Sequence, residues 1–237
     1  MKLIIANKNY SSWSLRPWLL MTEFRIPFEE VLIPFGPSFD DPEWKRAISA
    51  FTPAGKVPAL VDGEIQVWDS LAIMEYLADR FPDRAIWPRE GAARAMARSI
   101  AAEMHAGFGA LRGACPMNIA RVHPERDRGP KVAADIARIT QIWREARSRF
   151  GQGGPFLFGA FSAADAMYAP VVARFAGYSV PLDAVCAAYV AAVQDTAGFR
   201  NWRMGALAEP WIIPEDEADE PVLTDHRPHL SKSQADR

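Results

Sequence analysis

Hydrophobic positions in the first eighty residues fall in short runs broken by turn residues, whereas from about 91 to 208 they recur at helical intervals. Leu3-Ile4-Ile5-Ala6 reads as a buried strand, too short and too β-branched for a helix. Leu15 to Phe24 predicts a helix, and Phe28 to Ile33 a second strand. Asp41-Pro42-Glu43-Trp44 has an N-cap, a proline at the first helical position and an acidic first turn, predicting a short helix to about Phe51. Asp62-Gly63 joins Val57–Val61 to Glu64–Trp68 as a hairpin. Asp69-Ser70 then caps a helix from Leu71 to Phe81, stopped by Pro82. This β-α-β-α-β-β-α order predicts a parallel strand pair joined by a crossover helix, followed by an antiparallel hairpin.

Pro82-Asp83-Arg84 and Pro88-Arg89-Glu90-Gly91 read as a linker. Beyond it, Met96, Ile100, Met104, Phe108 and Leu111 predict one long helix, and Val132, Ile136, Ile139, Trp143, Ala146 and Phe150 a second. Arg121 to Lys131, polar and holding Pro124, Gly129 and Pro130, predicts an exposed loop. Further helices are expected over 163–175, 184–196 and 199–207. From Glu215 to Arg237 there are seven acidic residues against three basic ones and little periodicity, which predicts a disordered tail. The predicted organisation is an α/β domain over 1–82, a linker over 83–90, an all-α domain over 91–212 and a tail over 213–237.

Composition narrows the function classes. With 27 Lys+Arg against 29 Asp+Glu in 237 residues there is no broad basic surface for nucleic acid. No apolar run approaches the ~18 residues that cross a bilayer, so no membrane partner is expected. The start of the chain is too short an apolar stretch for a signal peptide. Cys115 and Cys186 form no CxxC pair, and the four histidines have no zinc spacing, which points to the cytoplasm and to no metal.

Three stretches carry candidate chemistry. Asn9-Tyr10-Ser11-Ser12-Trp13-Ser14-Leu15-Arg16-Pro17 joins the first strand to the first helix, and Pro17 predicts that the helix starts close to Ser14 as N-cap. Ser11 and Ser12 would then sit at the positive end of the helix, where hydroxyls and free N–H groups favour an anion; they serve equally as plain capping residues. Val57-Pro58 precedes a strand. A cis bond there turns the Val57 main chain outward to pair with an extended peptide, whereas a trans proline in a loop is the commoner case. Asp69-Ser70 at a helix start has the groups to hold an α-amino acid, and also those of an ordinary cap.

Taken in order, the serine turn, Lys56-Val57-Pro58-Ala59-Leu60 and Asp69-Ser70-Leu71-Ala72-Ile73 resemble the glutathione transferase family. Gly159-Ala160-Phe161-Ser162-Ala163-Ala164-Asp165 resembles the capping box that opens that family's central helix. The resemblance spans about residues 1–212 and implies a thioredoxin-like α/β domain followed by an all-α domain. Ser11 to Arg16 is most similar to the serine-type zeta class, the maleylacetoacetate isomerases, although Trp13 stands where that class has cysteine.

The resemblance implies glutathione as co-substrate, a small electrophile as its partner and a homodimer. Ser11 would be the catalytic hydroxyl, with Ser12 and then Tyr10 as alternatives. Ser11, Ser12, Trp13, Lys56, Val57, Pro58, Asp69 and Ser70 would hold glutathione. Met104, His105, Phe108 and Arg112, on what reads as one helix, would face the electrophile, with His105 and Arg112 suited to a carboxylate. Trp44, Phe51 and Phe35 are candidate interface anchors. A maleylacetoacetate-type isomerase and a non-catalytic binding module are the alternatives to a transferase.

Overall fold

In the computed structural model, residues 1–36 and 41–227 are described. The N-terminal region runs β1 (Lys2–Ile5), α1 (Ser12–Glu23), β2 (Glu29–Leu32), α2 (Pro42–Ser49), β3 (Ala59–Asp62), β4 (Ile65–Trp68) and α3 (Ser70–Arg80). Its sheet has the order β2-β1-β3-β4, with β1 and β2 parallel and the other pairs antiparallel. This is the βαβαββα arrangement of a thioredoxin-like domain. The hairpin turns at Gly63, whose φ of +61° is a left-handed conformation that glycine adopts freely. Asp41 accepts from the Trp44 N–H at 2.8 Å and caps α2 as its sequence predicts.

The rest is helical: α4 (Gly91–Ala106), α5 (Gly109–Ala114), α6 (Pro130–Phe150), α7 (Ala163–Gly177), α8 (Ala184–Gln194) and α9 (Ala197–Ala208). Helix α7 is buried along nearly its whole length and packs on α1 and α4. Its capping box forms: the Ser162 N–H donates to Asp165 at 2.8 Å, and Asp165 also accepts from the Leu157 N–H. Trp143 of α6 is fully buried against Tyr168, Phe175 and Tyr189. The second helical layer also pins the turn after β1. The Trp202 indole donates to the Lys8 carbonyl at 2.8 Å, and Glu209 accepts from the Lys8 and Asn9 N–H groups.

Five expectations need correction. Helix α1 begins at Ser12 with Ser11 at its N-cap, not at Ser14. Pro17 removes only the hydrogen bond to the Trp13 carbonyl, and the turn ahead is held by the Asn7 carbonyl, which accepts from Tyr10 and Ser11. The long helix expected through Met104 and Arg112 is broken after Ala106. Phe108 sits at φ +59°, and a Cβ on Gly107 would lie 2.7 Å from the Glu103 carbonyl oxygen. His105 and Arg112 are therefore on different helices and share no helical face.

Trp44 and its neighbours are not exposed anchors. Trp44 is 6% exposed, packs with Ile4, Ile48 and Ala59, and meets the Phe35 ring at a tilt, while Phe51 is half-buried against the same cluster. The amphipathic stripe of α2 is spent on the sheet. The segment 121–131 is not simply an exposed loop: β5 (Arg121–Val122) pairs with β6 (Thr224–Asp225), and His123 is buried.

The disordered tail is overturned for 213–227, which forms an ordered strap against Tyr10, Asn118 and β5; 228–237 lie outside the described residues. Ile213 and Arg227 are buried. Arg227 donates to Glu217 at 2.9 Å, to the Tyr10 hydroxyl at 3.0 Å and to both Asp225 oxygens. Arg121 pairs with Glu217 and Asp225 from the other side. The strap's acidity, which argued for disorder, is instead neutralised by arginines distant in sequence.

Candidate functional site

A cleft of about 620 Å³ opens where α1, the segment before β3, α5 and the strap meet. Its size is that of a small-molecule site. One wall comes from the N-terminal domain: Ser11, Ser12, Trp13, Lys56 and Val57, with Trp44 and Lys45 of α2 beyond them. The opposite wall comes from Gly109, Arg112 and Gly113 of α5, Pro116, Arg174 of α7 and Asp216 of the strap.

The serine turn is compact. Ser11 is buried and its hydroxyl donates to Ser14 Oγ at 2.7 Å, while Ser14 Oγ also accepts from the Ala6 N–H at 3.3 Å. Ser14 thus backs Ser11 from inside the helix. Tyr10, the next hydroxyl along, is committed elsewhere. It donates to Glu217 at 2.5 Å, and burial together with that carboxylate pushes its ionisation up to about 12. The Val57–Pro58 bond is cis, with Pro58 buried and Val57 on the cleft wall.

Behind the turn, two guanidinium groups lie over the Trp13 ring, Arg16 at 4.1 Å and Arg112 at 4.5 Å from its centre. The indole π-system favours both cations and holds Arg112 at the cleft wall. His105 meets the same ring edge-on, and its Nε2 is 3.1 Å from Asp69. Asp69 caps α3 through the Leu71 and Ala72 N–H groups at φ +77°, a backbone conformation costly for a side-chain-bearing residue and characteristic of functional sites. Arg16 donates to the buried Ser70 hydroxyl at 3.3 Å.

The cleft is electropositive. Burial first, then the neighbouring charges of Arg112 and Arg174, pull Arg16 down to about 9. Burial and Arg112 bring Arg174 down to about 10. Arg174 spends donors on the Cys115 and Pro170 carbonyls, and Asp216 is the carboxylate whose charge acts on it. Each arginine remains charged at neutral pH, and an anion entering the cleft relieves their mutual repulsion. Neither thiol is poised for chemistry: both cysteines are buried, and burial raises each to about 11.

Of the residues singled out from sequence, Ser11, Ser12, Trp13, Lys56, Val57 and Arg112 line the cleft together. Asp69, Ser70 and His105 form the layer behind Trp13 and Arg16. Met104 and Phe108 are 1% and 8% exposed and belong to the core, as apolar residues at helical spacing commonly do. Arg174 and Asp216 were missed. Arg174 did carry a signal, a charge in a largely apolar helix whose other charged residue, Asp165, is spent on the capping box. Asp216 carried none, because only the path of the strap brings it here.

The chain matches the model of the glutathione S-transferase N-terminal domain over residues 10–80 and that of the C-terminal domain over 126–205, together more than half its length. A dichloromethane dehalogenase of Methylorubrum extorquens is 39% identical over 67 residues, 28% of this chain and 23% of that one. A probable maleylacetoacetate isomerase of Caenorhabditis elegans is 39% identical over 67 residues, 28% of this chain and 31% of that one. These matches span about a quarter to a third of the relatives' length. A Burkholderia glutathione transferase homologue with bound glutathione superposes at TM-score 0.65 with 17% identity, covering 86% of this chain and 97% of that one, which establishes the shared fold.

Proposed function

The chain belongs to the glutathione S-transferase family, and we propose that it is a glutathione transferase in which the Ser11 hydroxyl stabilises the glutathione thiolate for attack on a small, anionic electrophile. The observation that carries this reading is the meeting of Ser11, Val57 and Arg112 in one cationic cleft. A free thiol titrates near ~8.5, and lowering that by ~2 units takes ~2.7 kcal/mol of preferential thiolate binding. One hydroxyl donor at the start of α1 and the field of the buried arginines supply stabilisation of that order.

The Val57 main chain would pair with the cysteinyl part of glutathione, beside Pro58. Asp69 and Ser70 would receive the γ-glutamyl end and Lys56 the glycyl carboxylate. Arg112 and Arg174 would take a carboxylate on the electrophile, with His105 acting indirectly through Trp13. Trp13 in the place of the zeta-class cysteine, with two arginines over its ring, favours transfer over the isomerase reading.

The test is the thiolate absorbance of glutathione titrated with protein across pH. The expected result is a saturable signal whose midpoint lies well below the free thiol value. Binding without ionisation would leave a binding module, and no binding at millimolar glutathione would remove the glutathione reading altogether.

A homodimer belongs to the same proposal. Edge strand β4 leaves Ile65 and Trp68 about half exposed, an apolar pair suited to a second copy. Sedimentation is expected to give twice the chain mass, reduced to one chain mass by Ile65→Lys with Trp68→Lys. A wild-type monomer would refute it.

A further inference from the structure

We propose that Asp216, carried on the C-terminal strap, is the general acid of the electrophile half of the cleft, giving its proton to the atom of the electrophile that gains negative charge as the thiolate adds. The proposal rests on the glutathione reading above and extends it to a class of electrophile.

Asp216 is the one carboxyl among the described residues that line the cleft, and it stands on the Arg112–Arg174 wall, across from the serine turn. It is held there. Two residues before it lies the short helical turn entry at Pro214, and the next residue, Glu217, is tied to Tyr10, Asn118, Arg121 and Arg227. Tyr10 adjoins Ser11 in the chain, so the strap that carries the acid is bonded directly to the turn that carries the thiol's partner.

The charges around Asp216 come from every element at that end of the cleft. Arg174 of α7 favours its carboxylate, and Glu215 and Glu217 on the strap oppose it. The neutral Tyr10 phenol of the turn, Arg112 of α5 and, on the far wall, Lys45 and Lys56 line the same cleft. Burial dominates this balance and raises Asp216 to about 6, so the protonated form is present near neutrality.

An acid in that place serves only some electrophiles. A departing halide needs no proton. A carbon–carbon double bond conjugated to a carbonyl does: the thiolate pair forms the C–S bond, the π pair moves onto the carbonyl as an enolate, and the Asp216 O–H bond breaks to protonate it. Asp216 is left as a carboxylate and recovers a proton from solvent, matching the one the thiol released on binding. Nothing is oxidised or reduced. The substrate class inferred is therefore an unsaturated carbonyl compound bearing a carboxylate for Arg112 and Arg174.

The experiment compares the full-length protein with Asp216→Asn and Asp216→Glu on two probes, ethacrynic acid, a carboxylate-bearing enone, and 1-chloro-2,4-dinitrobenzene, which loses chloride. In the wild type, kcat/KM for the enone should fall as pH rises above about 6, because the acid form is lost, whereas the chloride-losing reaction should rise to a plateau. Asp216→Asn should lower the ratio of the enone rate to the chloride rate at least tenfold and remove the alkaline fall; Asp216→Glu should restore part of both. Loss of the two activities in equal proportion, an unaltered enone pH profile, or a wild type that forms thiolate yet leaves the enone untouched would overturn the proposal. A wild type that forms no thiolate at all would instead overturn the glutathione reading beneath it.

Discussion

Replacing Ser11 by alanine should lower turnover at least tenfold while glutathione still binds. The hydroxyl is buried, lines the cleft and has one close partner, Ser14 at 2.7 Å. Ser14 already accepts from the Ala6 N–H, so its own proton is available to turn toward Ser11, releasing the Ser11 proton to the thiolate. A hydrogen bond to a charged group contributes about 1.5–3 kcal/mol, equivalent to about a ten- to hundredfold change in thiolate fraction. Removing it raises the bound thiol back toward its free value, so the rising limb of kcat/KM should shift to higher pH. Affinity for glutathione should change far less, because the contacts assigned to Val57, Asp69 and Ser70 are untouched. Ser14→Ala should show a weaker form of the same shift. Unchanged turnover in Ser11→Ala would pass the role to Ser12, since the Tyr10 hydroxyl is engaged by Glu217 and Arg227.

Replacing Arg227 by alanine should release the strap before the body of the protein unfolds. Arg227 is 1% exposed and holds Asp225, Glu217 and Tyr10 together. Its loss leaves two part-buried carboxylates with Arg121 as their remaining close cation, and breaking a buried ion pair in this way costs about 3–5 kcal/mol. Besides this network, the strap is held by Glu220, which pairs with Arg126 and Arg128, by a two-residue strand pair and by main-chain bonds such as that from the His226 N–H to Ala120. Local detachment therefore needs less free energy than global unfolding. Amide exchange should quicken across 121–123 and 213–226 while α7 stays protected.

The same attachment is pH-dependent. Burial alone would raise Asp225, but bonds from Arg227 and Arg121 outweigh it and hold its carboxyl down at about 2, below the usual 3.8. Its contribution is complete above the unfolded value near ~3.9 and is lost as pH falls through the folded one. In Arg227→Ala the release should begin at higher pH, because Asp225 is no longer depressed as far. An Arg227→Ala protein whose strap remains protected would show that the strand pair and the Glu220 ion pairs, not Arg227, hold it. Where the strap does leave, Asp216 leaves the cleft with it, and the enone pH profile should change as it does in Asp216→Asn.

Much of this was readable along the chain because it depends on neighbours in sequence. The Asp62-Gly63 hairpin, the Asp41 cap and the Ser162–Asp165 box are set by side chains acting within four residues. The alternation between short β-rich runs and helical stripes determined the βαβαββα domain and its all-helical successor, since each element must bury its own apolar face. Ser11 and Val57 stand out through turn and proline chemistry that is local as well, whereas Trp13 and Arg112 enter only through the family resemblance, Arg112 on a long helix that is in fact broken ahead of it.

What failed in the sequence reading was long-range. The burial of Trp44 depends on the sheet beneath α2; the break at Gly107 is the exception, a local one, where the backbone closes on the Glu103 carbonyl of the preceding turn. Residues 215–227 look disordered when counted as charges, because the arginines at 121, 126 and 128 that pair with Glu217 and Glu220 lie about a hundred positions away. Arg174 and Asp216 face each other's end of the cleft only once α7 is buried and the strap has crossed it. Local propensity determined the elements and half of the site. The other half, its field of buried charge and the acid within it, was decided by packing, because a charge acquires its partners and its dielectric only in the folded chain.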